Sequence, residues 1–136
     1  QYLGIHALVR VLTNEKKYNL ITHKGGNLRI DKDDEETPER ILKDYFNSIK
    51  ENFRYDWNKG KEGFVKTANG IAIFLGLLDK IMRNQGKSLD RLSQSDFNKY
   101  IKRLRGQNWG NLRERSSSSE SDRQKILKEL LKKLIL

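Results

Sequence analysis

The sequence predicts a mainly α-helical fold, a compact bundle of about five helices with one small β-hairpin. Apolar residues recur at three- and four-residue steps in the longer segments. Residues suited to helix starts stand before several of them. The exception is Gly25-Gly26, set between two short β-leaning runs.

"QYLGIHALVRVL" places Leu3, Leu8, Val9 and Leu12 on a first helix. In "KYNLITHKGGNLRID" the glycine pair supplies the positive φ angles of a tight turn, which predicts a hairpin near Leu20–Ile30. Thr37 suits an N-cap and Pro38 the first helical position, and the acidic run before them lies where a helix dipole favours negative charge. The second helix is expected from Pro38 to about Phe53. Ile41, Leu42, Tyr45, Phe46, Ile49 and Phe53 form a single stripe along it. That stripe assigns Tyr45, Phe46 and Phe53 to the core. Tyr55 and Trp57 lie beyond it, in "RYDWNKGKEG", with their roles open between core and base stacking.

"TANGIAIFLGLLDKIM" is the most apolar segment and is expected to be the central buried helix. Ala68, Ala72 and Gly76 make a smooth strip for close approach of a neighbour, beside a bulkier stripe of Ile71, Leu75, Leu78 and Met82. A fourth helix is expected in "SQSDFNKYIKRLRG", opened by a capping-box-like pair, Ser93 and Asp96. Phe97, Tyr100, Ile101 and Leu104 form its apolar face. "GQNWGNLRERSSSSES" reads as a mobile linker. Ser121 and Gln124 suit the start of a last amphipathic helix carrying Ile126, Leu127, Leu130, Leu131, Leu134 and Ile135. The organisation expected is a helical domain with the hairpin over 1–110, a Ser-rich linker over 111–121 and the amphipathic helix over 122–136. Folding back of that helix is the simpler outcome, and pairing with another chain is its rival.

Hydrophobic residues make up 35% of the 136 and charged residues 34%, so the core must use most of the large apolar side chains. The absence of cysteine excludes disulfides and cysteine-based zinc sites. No apolar run approaches the roughly 20 residues of a membrane span. Without an initiator Met or a secretory signal, the chain reads as part of a longer, cytoplasmic protein. The net charge of +10 is uneven. Residues 1–79 hold 13 Lys+Arg against 12 Asp+Glu, and residues 80–136 hold 15 against 6. That asymmetry points to a polyanionic partner.

Catalytic patterns are weak. His6 and His23 are the only histidines and have no metal-ligand spacing. "DKDDEE" lacks the glycine and the closing glutamate of a calcium loop. "GKS" at 86–88 has Ile81 where a phosphate loop needs its first glycine. Neither an active site nor a cofactor or metal site is expected.

"DYFNSIKENFRYDW", a basic glycine-containing turn and "FVKTANGIAIFLGLLDKI" together resemble the C-terminal helical part of DGQHR-domain (DndB-like) bacterial proteins. The residues that carry the resemblance are Tyr45, Phe46, Ile49, Lys50, Trp57, Lys66, Thr67 and Gly70. It spans about residues 38–82, and the D-G-Q-H-R string itself is absent. The resemblance implies a role linked to DNA modification and defence.

The expected function is therefore a non-catalytic DNA-binding or DNA-associated module of a larger bacterial protein. Lys99, Lys102, Arg103, Arg105, Arg113 and Arg115 would hold phosphates, with Trp109 wedging or stacking nearby. The alternative is a protein–protein interaction module, for oligomerisation or inter-domain docking, built on the C-terminal amphipathic helix. Membrane-surface attachment through the same helix ranks last, since it lacks interfacial aromatics.

Overall fold

The computed structural model describes residues 36–85, 91–116 and 119–134. The expected first helix and the Leu20–Ile30 hairpin fall outside these residues. Among the described residues the chain is mainly helical and contains no strand. The helices are α1 (Glu36–Asn52), α2 (Arg54–Asn58), α3 (Ala68–Asn84), α4 (Gln94–Ile101), α5 (Trp109–Arg115) and α6 (Glu120–Leu134). Short 3-10 segments lie at Gly60–Glu62 and Lys102–Leu104.

The stripe read from α1 is its buried face: Ile41, Leu42, Tyr45, Phe46, Ile49 and Phe53 are all core. The helix opens at Glu36, one residue before the expected cap Thr37. α1 packs mainly on α4, and the Tyr45 ring meets Phe97 edge-on with centroids 5.3 Å apart. The Tyr45 hydroxyl donates to the Phe74 carbonyl at 2.5 Å, and burial pushes its phenol well above the usual range.

α3 buries most of its apolar face. Ile73, Phe74, Leu75, Leu77, Leu78, Ile81 and Met82 are buried along it. Its start explains a compact local pattern. Thr67 Oγ1 accepts from Gly70 N at 3.0 Å and donates to the Phe64 carbonyl at 2.6 Å. A Cβ on Gly70 would lie 2.0 Å from that same carbonyl oxygen, so no larger residue fits there without moving the backbone. Lys66, just before the cap, sets its ammonium 4.5 Å from the centroid of the buried Trp57 ring.

The small-residue strip on α3 is used only in part. Gly76 faces Leu127 of α6, whereas Ala68, in the first turn, is exposed. α6 lies along α3 and touches the Lys102–Leu104 segment. Ile126, Leu130 and Leu134 are buried there, with Leu127 and Leu131 partly so. The expected capping box at α4 is present, with Asp96 Oδ2 accepting from Ser93 N at 2.9 Å.

The linker expected over 111–121 is shorter than its composition implies. Residues Trp109–Arg115 form α5, capped by Asn108 Oδ1, which accepts from Asn111 N at 3.0 Å. Trp109 and Leu112, three residues apart, bury one side of that helix. Helix α6 begins at Glu120, and Ser119 Oγ, instead of that of Ser121, stands 3.5 Å from Asp122 N.

Candidate nucleic-acid interface

The seven residues expected to bind nucleic acid do not form one surface of free cations. Lys99 and Lys102 are exposed. The other four cations, also exposed, hold the fold together at specific points. Arg103 donates to the Leu134 carbonyl in the last turn of α6 and places its guanidinium 5.2 Å from the Tyr100 ring centroid. Arg113 donates to the Lys61 carbonyl at 3.3 Å. Arg115 forms a two-pronged pair with Glu129, which ties α5 to α6. That hydrogen bond raises the Arg115 guanidinium above its ordinary range and lowers the Glu129 carboxyl.

Trp109 is a correction. Only 9% of it is exposed. Its indole stacks on Phe64 (centroids 5.9 Å apart, planes 10° apart) and meets Phe53 edge-on at 4.7 Å. With its contacts to Phe53, Phe64 and Phe74 inside the core, little of the ring is left for a base, although Trp109 borders the groove that Arg105 also lines.

Arg105 is placed differently. Gly106 adopts φ +89°, a conformation that favours glycine, and turns the chain away from the Lys102–Leu104 segment. Arg105 Nε donates to Asn52 Oδ1 at 2.9 Å. Asn52 Nδ2 in turn donates to Asn98 Oδ1 at 3.2 Å, an atom that also receives the hydroxyl of the fully buried Ser48. This chain of polar groups fixes the arginine to α1 and α4.

Arg105 opens onto a surface groove of about 490 Å³ between α2 and residues 105–110. Arg54, Tyr55 and Lys59 line its other side. Tyr55 is 80% exposed, the one large hydrophobic residue among those described that the fold leaves outside. Lys59, one helical turn on, brings its ammonium 4.6 Å from the Tyr55 centroid. Among the described lining residues the only acid is Asp56. It is 6% exposed, and its carboxylate accepts from Phe64 N at 3.0 Å and Val65 N at 2.9 Å. Its charge is thus met by backbone donors, while Arg54, Lys59 and Arg105 line the same groove as the exposed Tyr55 ring.

Sequence reasoning did not assign Arg54 and Lys59 to a site and left Tyr55 open. The available signal was that Tyr55 falls off the α1 stripe and stands between basic residues. Arg105 was identified, but the partners that orient it come from distant positions. Among the described residues, no three His, Asp or Glu side chains gather where they would hold a metal ion, and no helix is long and apolar enough to cross a membrane. Comparison with family models, curated proteins and solved structures found no match.

Proposed function

We propose that this chain is a non-catalytic DNA-binding or DNA-associated module of a larger bacterial protein. The resemblance to DGQHR-domain proteins adds a link to DNA modification or defence, and the sequence without a secretory signal or cysteine suits a cytoplasmic setting. The observation that supports DNA binding best is the groove lined by Arg54, Lys59 and Arg105 together with the exposed ring of Tyr55. Cations grouped about a solvent-facing aromatic suit a polyanion with flat bases, and a cation layer that merely solvates the surface needs no such ring. Lys99 and Lys102 remain as exposed phosphate contacts. The burial of Ile126, Leu130 and Leu134 in this chain supports the DNA reading over a docking role for α6, of whose apolar residues Leu127 and Leu131 are partly buried.

The test is a salt titration of binding to unrelated duplexes, for the natural chain and for an Arg54→Gln/Lys59→Gln variant. Removing one phosphate-neutralising cation should flatten the dependence of log affinity on log salt by about 0.9. The expected result is weaker binding on every duplex and a slope flatter by up to about two. Binding by the natural chain that is absent or salt-insensitive on these duplexes and on single strands alike overturns the reading.

A further inference from the structure

We infer that the groove between α2 and residues 105–110 takes a single strand of nucleic acid, with one unpaired base stacked on Tyr55 and Arg54, Lys59 and Arg105 on the flanking phosphates. The inference rests on the nucleic-acid reading above and deepens it by naming the form of the strand.

The exposed ring decides between duplex and single strand. A paired base has both faces covered by its neighbours and offers only an edge in a groove, so an aromatic face has nothing to stack on in intact duplex. An unpaired base offers its face. Tyr55 stays 80% exposed even with the Lys59 ammonium 4.6 Å from its centroid, so ring surface remains for a second partner. The volume agrees. At about 490 Å³ the groove has the size of a small-ligand site, fit for a base with its sugar and too small for a turn of duplex. The surroundings are also preorganised on one side. Arg105 is held by Asn52, which is itself held by Asn98, so the guanidinium is positioned before any strand arrives. Gly106, at positive φ, keeps the loop turned so that the arginine lines the groove. The single acidic lining residue, Asp56, is engaged by backbone amides and does not oppose a phosphate at the rim. The side-chain oxygens of Asn52, Gln107 and Asn108, which also line the groove, already accept hydrogen bonds from Arg105, Lys133 and the Asn111 amide, so little sequence preference is expected.

The experiment measures fluorescence anisotropy of the full 136-residue chain with a labelled thymidine oligomer, a uridine oligomer and a duplex of equal length. The natural chain should bind the single strands more tightly than the duplex. Tyr55→Ala should weaken single-strand binding about fivefold or more, and clearly more than it weakens duplex binding, and Tyr55→Phe, which keeps the ring, should restore it. The tighter of the thymidine and uridine oligomers identifies the source as DNA or RNA. Because Tyr55 is exposed, neither variant removes a core contact, and an unchanged melting temperature verifies this. Salt-dependent duplex binding with no single-strand preference, or with Tyr55→Ala matching the natural chain on single strands, overturns the stacking inference and leaves the DNA reading standing. No binding to any of the three probes overturns both.

Discussion

Leu127 of α6 fills the notch that Gly76 leaves in α3. A Cβ placed on Gly76 would lie 3.0 Å from Leu127 Cδ2 and 3.3 Å from Cδ1, tighter than an ordinary contact. The missing side chain at 76 therefore sets how closely the last helix approaches α3. Gly76→Leu should overpack this contact and lower stability by about 1–3 kcal/mol. Adding Leu127→Ala should recover part of the loss, because the two changes act on one contact and are not additive. Urea denaturation of the two single variants and the double variant measures this. An unchanged midpoint for Gly76→Leu would mean that α6 does not lie there in solution.

Trp109 is expected to be structural. Its ring bridges Phe53, Phe64 and Phe74, and so joins α5 to the α1–α2 junction, α3 and the segment before α3. Truncation to Ala removes these ring–ring interactions and opens a cavity, and should lower stability by about 3–5 kcal/mol. Thermal unfolding followed by circular dichroism reads the effect. A Trp109→Ala chain that stays as stable as the natural one but loses nucleic-acid binding would return the indole to the ligand.

The packing of Gly76 and Trp109 also shows what was legible in the sequence. The apolar stripes of α1, α3, α4 and α6 were visible because each buries one face, and burial of one face imposes a period on the sequence. Short helices carry no such signal. α5 holds seven residues, rich in Gly, Asn and Arg, and its two anchors, Trp109 and Leu112, are too few to define a period. Its cap, Asn108, belongs to the composition that marks a linker. The roles of the cations were hidden for another reason. Arg103, Arg113 and Arg115 bond to groups 31, 52 and 14 residues away, and no local spacing encodes such partners. The residues behind the DGQHR-domain resemblance are mostly accounted for by packing: Tyr45, Phe46, Ile49 and Trp57 are core, Thr67 is a cap and Gly70 admits the Phe64 carbonyl. They explain a fold, and the groove itself comes largely from residues outside that set.

Tyr45 should set the alkaline limit of the fold. Burial raises its folded-state pKa well above the ordinary tyrosine value of 10.0. The folded state therefore keeps a proton that the unfolded chain releases above that pH. The stability linked to this group is fully present below pH 10.0 and is lost as the pH climbs from there to the folded pKa. The loss is up to about 1.4 kcal/mol per pH unit in that window. Tyr45→Phe should cost about 1 kcal/mol at neutral pH, through the hydrogen bond to Phe74, and should remove this component of the alkaline decline. Denaturant titrations at neutral pH and above pH 10 test it. An equally steep decline in Tyr45→Phe would place the responsible group elsewhere.

Lys102 and Arg103, neighbours that look alike in the sequence, should respond differently to substitution. Both lie in the Lys102–Leu104 segment, and both are exposed. Arg103 alone donates to the Leu134 carbonyl, at the end of a helix where the dipole favours a cation and the last carbonyls lack helical partners. Its side chain therefore joins the end of α6 to the segment that follows α4. Arg103→Gln should lower stability by about 0.5–1.5 kcal/mol, because it weakens a charge-assisted bond at an exposed site. Lys102→Gln should change stability by less than about 0.5 kcal/mol, as is usual for a surface residue without such a link. Hydrogen exchange should report the difference locally, with amides of the last turn of α6 opening faster in Arg103→Gln and unaffected in Lys102→Gln. If Lys102 contacts phosphate, its variant should still flatten the salt dependence of duplex binding by about 0.9. Equal stability losses for the two variants, or unaltered exchange at the end of α6 in Arg103→Gln, would show that the arginine does not fasten that helix.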